Sequence, residues 1–161
     1  MCENPRPDPP PVLTGLYVVA YAHVDDSVVF EQRRTLSVDG QWLDRVPSVA
    51  ICQDFETLEY SVQYCAGDWE PLAISGSHGS VDAAKARVER SYHGLAARWV
   101  CAGTTFESAQ AIHAAELRQG ACTFCGNTPM EVAMMFGEQT KICADCVVQF
   151  HRTLHSDEAP S

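Results

Sequence analysis

Basic residues are in short supply: 11 Lys and Arg stand against 21 Asp and Glu, for a formal net charge of −10. Nucleic-acid binding is driven mainly by cations that neutralise phosphates, so this balance argues against such a partner. Long apolar runs are missing as well. No stretch approaches the ~18 apolar residues of a membrane span. The opening MCENPRPDPPPVLTG has no basic segment followed by an apolar one, so it does not read as a secretory signal. The phosphate-cradling pattern G-x-x-x-x-G-K-[ST] occurs nowhere. The expectation is a soluble, cytoplasmic chain in a reducing compartment, where paired cysteines more often mean metal than disulfide.

What is present is an ordinary globular composition, 46% apolar and 20% charged. A chain of 161 residues holds one modest domain plus a small module that needs help to fold. Residues 1–11 contain five prolines and are expected to be a disordered tail, with a PxxP ligand role as the lesser reading. From Leu13 the texture turns β-branched and aromatic. LTGLYVVAYAHV and SVVFEQRRTLSV flank Asp25-Asp26 and read as a hairpin. VPSVAICQ, TLEYSVQYC and WEPLAIS read as further antiparallel strands, four or five in all.

Ser80 is placed as the N-cap of a helix over VDAAKARVERSYH that stops at Gly94, with Val81, Ala84, Val88 and Tyr92 on its apolar stripe. ARWVC, residues 97–101, reads as a short returning strand. A second helix is expected from Thr104, spaced from Glu107 as in a capping box, to Gly120. The fold class is therefore α+β: an antiparallel sheet with a covering helix over residues 12–119, then a small zinc module at 120–155 and a disordered tail at 156–161.

That module carries the strongest chemical signal. Cys122-x2-Cys125 and Cys143-x2-Cys146 hold four of the eight cysteines, 17 residues apart, within the range for a four-cysteine zinc site. Gly126 supplies the permissive backbone of the first knuckle. Thr128-Pro129-Met130-Glu131 predicts the start of a short helix carrying Val132, Met135 and Phe136 on one face. Gln139 to Ile142 should then run extended, and Ala144 to His155 should form a helix with Cys146 in its first turn and Val147, Phe150, His151 and Leu154 as its stripe. A knuckle, an insert and a helix donating the last ligand is the plan of a treble-clef finger. One structural zinc would hold it, since four thiolates leave no open position for catalysis. A redox dithiol lacks the preceding strand it would need.

ACTFCGNTPMEVAMMFGEQTKICADCVVQF resembles the zinc-binding N-terminal domain of the ClpX family of AAA+ unfoldases: C-x-F-C-G, an E-V pair, then I-C-x-x-C-V. The likeness covers residues 120–155, and no ATPase motif accompanies it. It implies Cys122, Cys125, Cys143 and Cys146 as ligands. It implies a homodimeric finger that binds adaptors or unfolded polypeptide without catalysis. It also implies that Phe124, Val132, Met135, Phe136, Ile142, Val147 and Phe150 are divided between a small core and a dimer or client surface.

Other candidates are weaker. SGSHGS, residues 75–80, does not fit the nucleophile elbow, and reads as a loop ending in a cap. His113 with Glu116 lacks a third ligand, and His151 with His155, four sulfurs being already at hand, reads as one partly buried and one solvent-facing histidine. Cys52, Cys65 and Cys101 read as buried thiols, and Trp69 and Trp99 as packing where sheet meets helix. The leading function is a non-enzymatic, zinc-stabilised protein-interaction protein. The alternatives are a nucleic-acid-binding zinc ribbon, disfavoured by Lys141 and Arg152 against Glu131, Glu138 and Asp145, and an enzyme with a site near His78.

Overall fold

A computed structural model describes residues 6–34, 36–38, 40–137 and 140–155. The chain divides into two compact units, with the division between Gln110 and Ala111. The first unit contains strands β1 (Val12–Leu13), β2 (Leu16–His23), β3 (Val29–Phe30), β4 (Ser37–Val38), β5 (Gln41–Trp42), β6 (Ser48–Gln53), β7 (Tyr60–Cys65) and β8 (Pro71–His78). Helix α1 (Val81–Glu89), β9 (Tyr92–His93), a 3-10 turn (Leu95–Arg98) and β10 (Val100–Cys101) follow. Helix α2 (Phe106–Gly120) spans the division, and the second unit continues with β11 (Met134–Phe136), β12 (Lys141–Cys143) and α3 (Ala144–His155). This is an α+β chain, and no described helix is long and apolar enough to cross a membrane.

The main sheet is antiparallel in the order β1-β2-β6-β7-β8, with β10 sharing the outer edge of β2. β6, SVAICQ, is central and buried over Ser48–Cys52, as an apolar run covered on both faces should be. One face carries Val49, Ile51, Val62 and Tyr64, on which Ala84 and Val88 of α1 pack. Each fully buried Val or Ile contributes about 1.5–3 kcal/mol, so this layer is the principal core. The opposite face, with Val18, Tyr21, Ala50, Cys52 and Cys65, is covered by Leu13 and Trp69. Thr14 (φ 50) and Gly15 (φ 77) make the tight turn between β1 and β2, both left-handed as a two-residue hairpin of right-twisted strands requires.

Several expectations are corrected here. The hairpin about Asp25-Asp26 does not form: β2 pairs with β6, β3 with β9 and β4 with β5. The turn is there, with Asp25 accepting from the Ser27 amide at 2.9 Å. Both edges of β2 are already taken, however, so the following segment leaves the sheet. Residues 6–11 are not a free tail, because Arg6 donates to the carbonyls of Val24 and Pro47 at 3.1 and 2.9 Å. Residues 1–5 and 156–161 lie outside the described residues.

Ser80 caps α1 as expected, its Oγ accepting from Ala83 N at 3.1 Å. The helix is shorter than predicted, because Tyr92 is recruited as strand β9 opposite Phe30 and its ring is buried in the core. The cap of α2 is Thr105, whose Oγ1 accepts from Ser108 N at 3.2 Å, and not Thr104. Cys52 and Cys65 are buried but Cys101 is exposed. Trp99 packs against the α1 side of the sheet, whereas Trp69 belongs to the opposite face.

Candidate metal centre

The second unit brings the four cysteines together from three local structures. Gly126 N donates to Cys122 O at 3.0 Å, closing the first knuckle with Gly126 at φ +81, a backbone state that glycine adopts without steric cost. The hairpin of β11 and β12 pairs Met134 with Cys143 and Phe136 with Lys141. It is tied to the knuckle by Thr123 N donating to Lys141 O at 2.8 Å. Helix α3 then starts at Ala144, and places Cys146 in its first turn.

All four sulfurs lie within 4.8 Å of one another, with Cys122 Sγ 3.8 Å from Cys146 Sγ and Cys125 Sγ 3.5 Å from Cys143 Sγ. A disulfide needs about 2.05 Å, so these are not bridged. Four sulfurs about 2.3 Å from one tetrahedral ion stand about 3.8 Å apart, so the cluster has the dimensions of a four-thiolate metal site. Cys122, Cys143 and Cys146 are buried and Cys125 is open to solvent.

Backbone amides complete the surroundings. Cys143 N donates to Cys122 Sγ at 3.3 Å, and Cys146 N to Cys143 Sγ at 3.4 Å. Burial raises the Cys122 thiol, but the amides of Cys125, Cys143 and Phe124 outweigh it and draw its pKa down to about 6. Burial, then the neighbouring sulfurs, push Cys146 well up. A divalent cation held by the four sulfurs would resolve that conflict, replacing shared protons with one positive centre while the amides stabilise the thiolates.

The helix expected from Thr128 is not formed. Its capping contact exists, with Glu131 Oε2 accepting from Thr128 N at 2.7 Å, and Val132 N donates to Thr128 O at 3.3 Å in a single turn. Ala133 O then accepts from Ala144 N at 2.9 Å, and residues 134–136 join β12 instead. A helix this short gains too little to offset its nucleation cost, so strand pairing wins.

The apolar residues divide clearly. Val132 and Ile142 pack on the cysteine cluster, together with Met134, which sequence reasoning missed although its alternation with Met135 is visible in the chain. Phe124, Met135, Phe136 and Phe150 are exposed, and Val147 is half-buried. The α3 stripe is largely uncovered, since His151 and Leu154 are exposed too. In the first unit, His78 of β8 stands opposite Tyr60, and its buried Nε2 has no hydrogen-bond partner among the described residues. Compared with known proteins, the chain matches no family model, no curated protein and no solved structure.

Proposed function

We propose that residues 120–155 form a structural zinc finger of the treble-clef kind, similar to the zinc-binding domain of the ClpX unfoldases. In this reading the protein is a non-catalytic interaction protein, whose finger pairs with a second copy of itself and presents an apolar surface to another polypeptide. Soft thiolates in a tetrahedral set favour zinc over the harder divalent ions. Four such ligands leave no position for substrate or water, so the metal's contribution is to folding.

The observation that carries the reading is apolar exposure concentrated around the cysteine cluster. Phe124, Met135, Phe136, Phe150 and Leu154 are 56, 56, 64, 40 and 77% exposed. Isolated exposed apolar residues are ordinary, but a group of aromatic and Met side chains on a module this small marks a surface meant for a partner. The test is sedimentation of the zinc-loaded full chain, with and without a chelator, alongside M135S and F136S. A dimer that falls apart on chelation and in both variants supports the proposal. A monomer when loaded, or a dimer indifferent to chelation, counts against it.

A further inference from the structure

The four sulfurs of the cluster are unequal in their access to solvent. Of the seven cysteines among the described residues, five are buried, and only Cys101 and Cys125 are exposed. Cys122, Cys143 and Cys146 are 4, 0 and 6% exposed. Oxidation of a cysteine by a small solute depends on thiolate character and on access to the sulfur. A ligand of a metal ion is already a thiolate, so access alone separates these four.

Cys125 has that access on the outer side of its knuckle. Residues 123–126 are all exposed, and a Cβ added at Gly126 would meet no atom within 4 Å. This side of the turn therefore faces open space among the described residues. The other three ligands are shielded by Val132, Met134 and Ile142, which pack on the buried sulfurs. A small oxidant coming from solvent meets Cys125 first.

A partner for the oxidised sulfur stands beside it. Cys143 Sγ is 3.5 Å from Cys125 Sγ, so an approach of about 1.5 Å would bring the two to disulfide length. Cys143 is fixed on β12 opposite Met134, and its sulfur accepts from Cys146 N at 3.4 Å. Cys125 instead belongs to a turn in which Gly126 takes φ +81, and glycine's conformational freedom lets that turn adjust. The exposed sulfur sits on the adaptable element and the buried one on the fixed element.

We infer that Cys125 is a peroxide-reactive modification site, whose oxidation ties it to Cys143 and makes the finger give up its metal. The inference rests on the zinc reading above. In the first step the Cys125 thiolate attacks a peroxide: a sulfur–oxygen bond forms, the oxygen–oxygen bond breaks, and hydroxide leaves, giving a sulfenic acid. In the second the Cys143 thiolate attacks the Cys125 sulfur: the disulfide forms, the sulfur–oxygen bond breaks, and a second hydroxide leaves. The peroxide gains two electrons and each sulfur gives one. Cys122 and Cys146 are then the only thiolates left, too few for a closed four-ligand site. Metal affinity in so small a module is folding free energy, so the loss of the ion loosens α3. A dithiol reductant reverses the change.

The experiment treats the zinc-loaded full chain with hydrogen peroxide, against an untreated sample. Freed zinc is read with a chromogenic chelator, α3 by circular dichroism, and the sulfurs by peptide mass mapping. About one zinc per chain should be freed as helicity falls, with Cys125–Cys143 as the first disulfide. Dithiothreitol with added zinc should restore both signals. With dimedone present to trap sulfenic acid, the adduct should map to Cys125. An adduct on Cys122, Cys143 or Cys146 instead, or zinc freed without a disulfide, overturns the proposal. So does C101S releasing zinc at least tenfold more slowly than wild type, since the oxidant would then enter through the other exposed thiol. A chain that takes up no zinc overturns the metal reading and this proposal together. Zinc that loads but stays bound after Cys101 is fully oxidised overturns this proposal alone.

Discussion

The ring of Phe124 meets that of Phe150 edge-on, 5.0 Å between centroids and 81° between planes. One residue sits inside the first cysteine pair and the other on α3, so the contact fastens the knuckle to the helix. Edge-to-face aromatic pairs contribute about 0.5–1.5 kcal/mol beyond their burial. A double-mutant cycle of F124A and F150A in the metal-loaded chain, followed through unfolding of α3, should return a coupling of that size. Additive effects would mean that the two rings stabilise the module separately.

Cys143 has a double part at the metal centre: its amide donates to Cys122 Sγ at 3.3 Å and its sulfur accepts from Cys146 N at 3.4 Å. C143S should therefore lose bound metal, from about one ion per chain to less than about a tenth. The same variant should lose the helicity of α3 while the strand signal of the first unit persists. Metal analysis and circular dichroism check both. Stoichiometric metal in C143S would mean the four sulfurs do not act as one ligand set.

The start of α2 distinguishes two adjacent threonines. Thr105 Oγ1 accepts from Ser108 N at 3.2 Å, so T105A should cost about 1 kcal/mol of stability, as loss of an N-cap does. T104A should change stability by only a few tenths of that, since Thr104 is used through its carbonyl, which accepts from the Tyr17 hydroxyl at 2.7 Å. Chemical denaturation of the two variants decides between the caps.

The tie between Tyr21 and Asp8 sets an alkaline limit. The hydrogen bond to Asp8, then burial, raise the Tyr21 hydroxyl from 10.0 to about 12. A group raised on folding adds stability that is complete below its unfolded value and disappears as pH climbs through its folded one. The stability difference between wild type and Y21F should be constant from neutral pH to 10 and fade between pH 10 and 12. A difference that stays flat through that window would show that the hydroxyl does not hold residues 6–11.

Local patterns were legible in the sequence where the cause is local. The cysteine spacing, the cap at Ser80 and the helix Ala144–His155 depend on neighbours within a few residues, and the apolar run of β6 and the alternation of β7 and β8 depend on their own residues. Residues 134–136 were misread because their Met and Phe residues suit a short helix as well as a strand, and β12 decides. The segment after Asp26 was misread for a related reason: a turn signal does not tell whether the adjacent strand has an edge free. The holding of residues 6–11 was illegible because its donors, Trp69, Tyr21 and the distant carbonyls, lie far along the chain. The exposed apolar side chains around the cysteines could be listed from sequence, but their division into inside and outside needed the β11–β12 register.

The hydrogen bond from Trp69 to Pro7 spans 62 residues of chain. A ribosome adding roughly 5–20 residues each second needs several seconds to cover that interval. During synthesis Pro7 therefore waits for the turn that will clasp it. The contact between Tyr21 and Asp8 spans only 13 residues and does not have to wait for it. Closing that clasp is thus a late step in maturation.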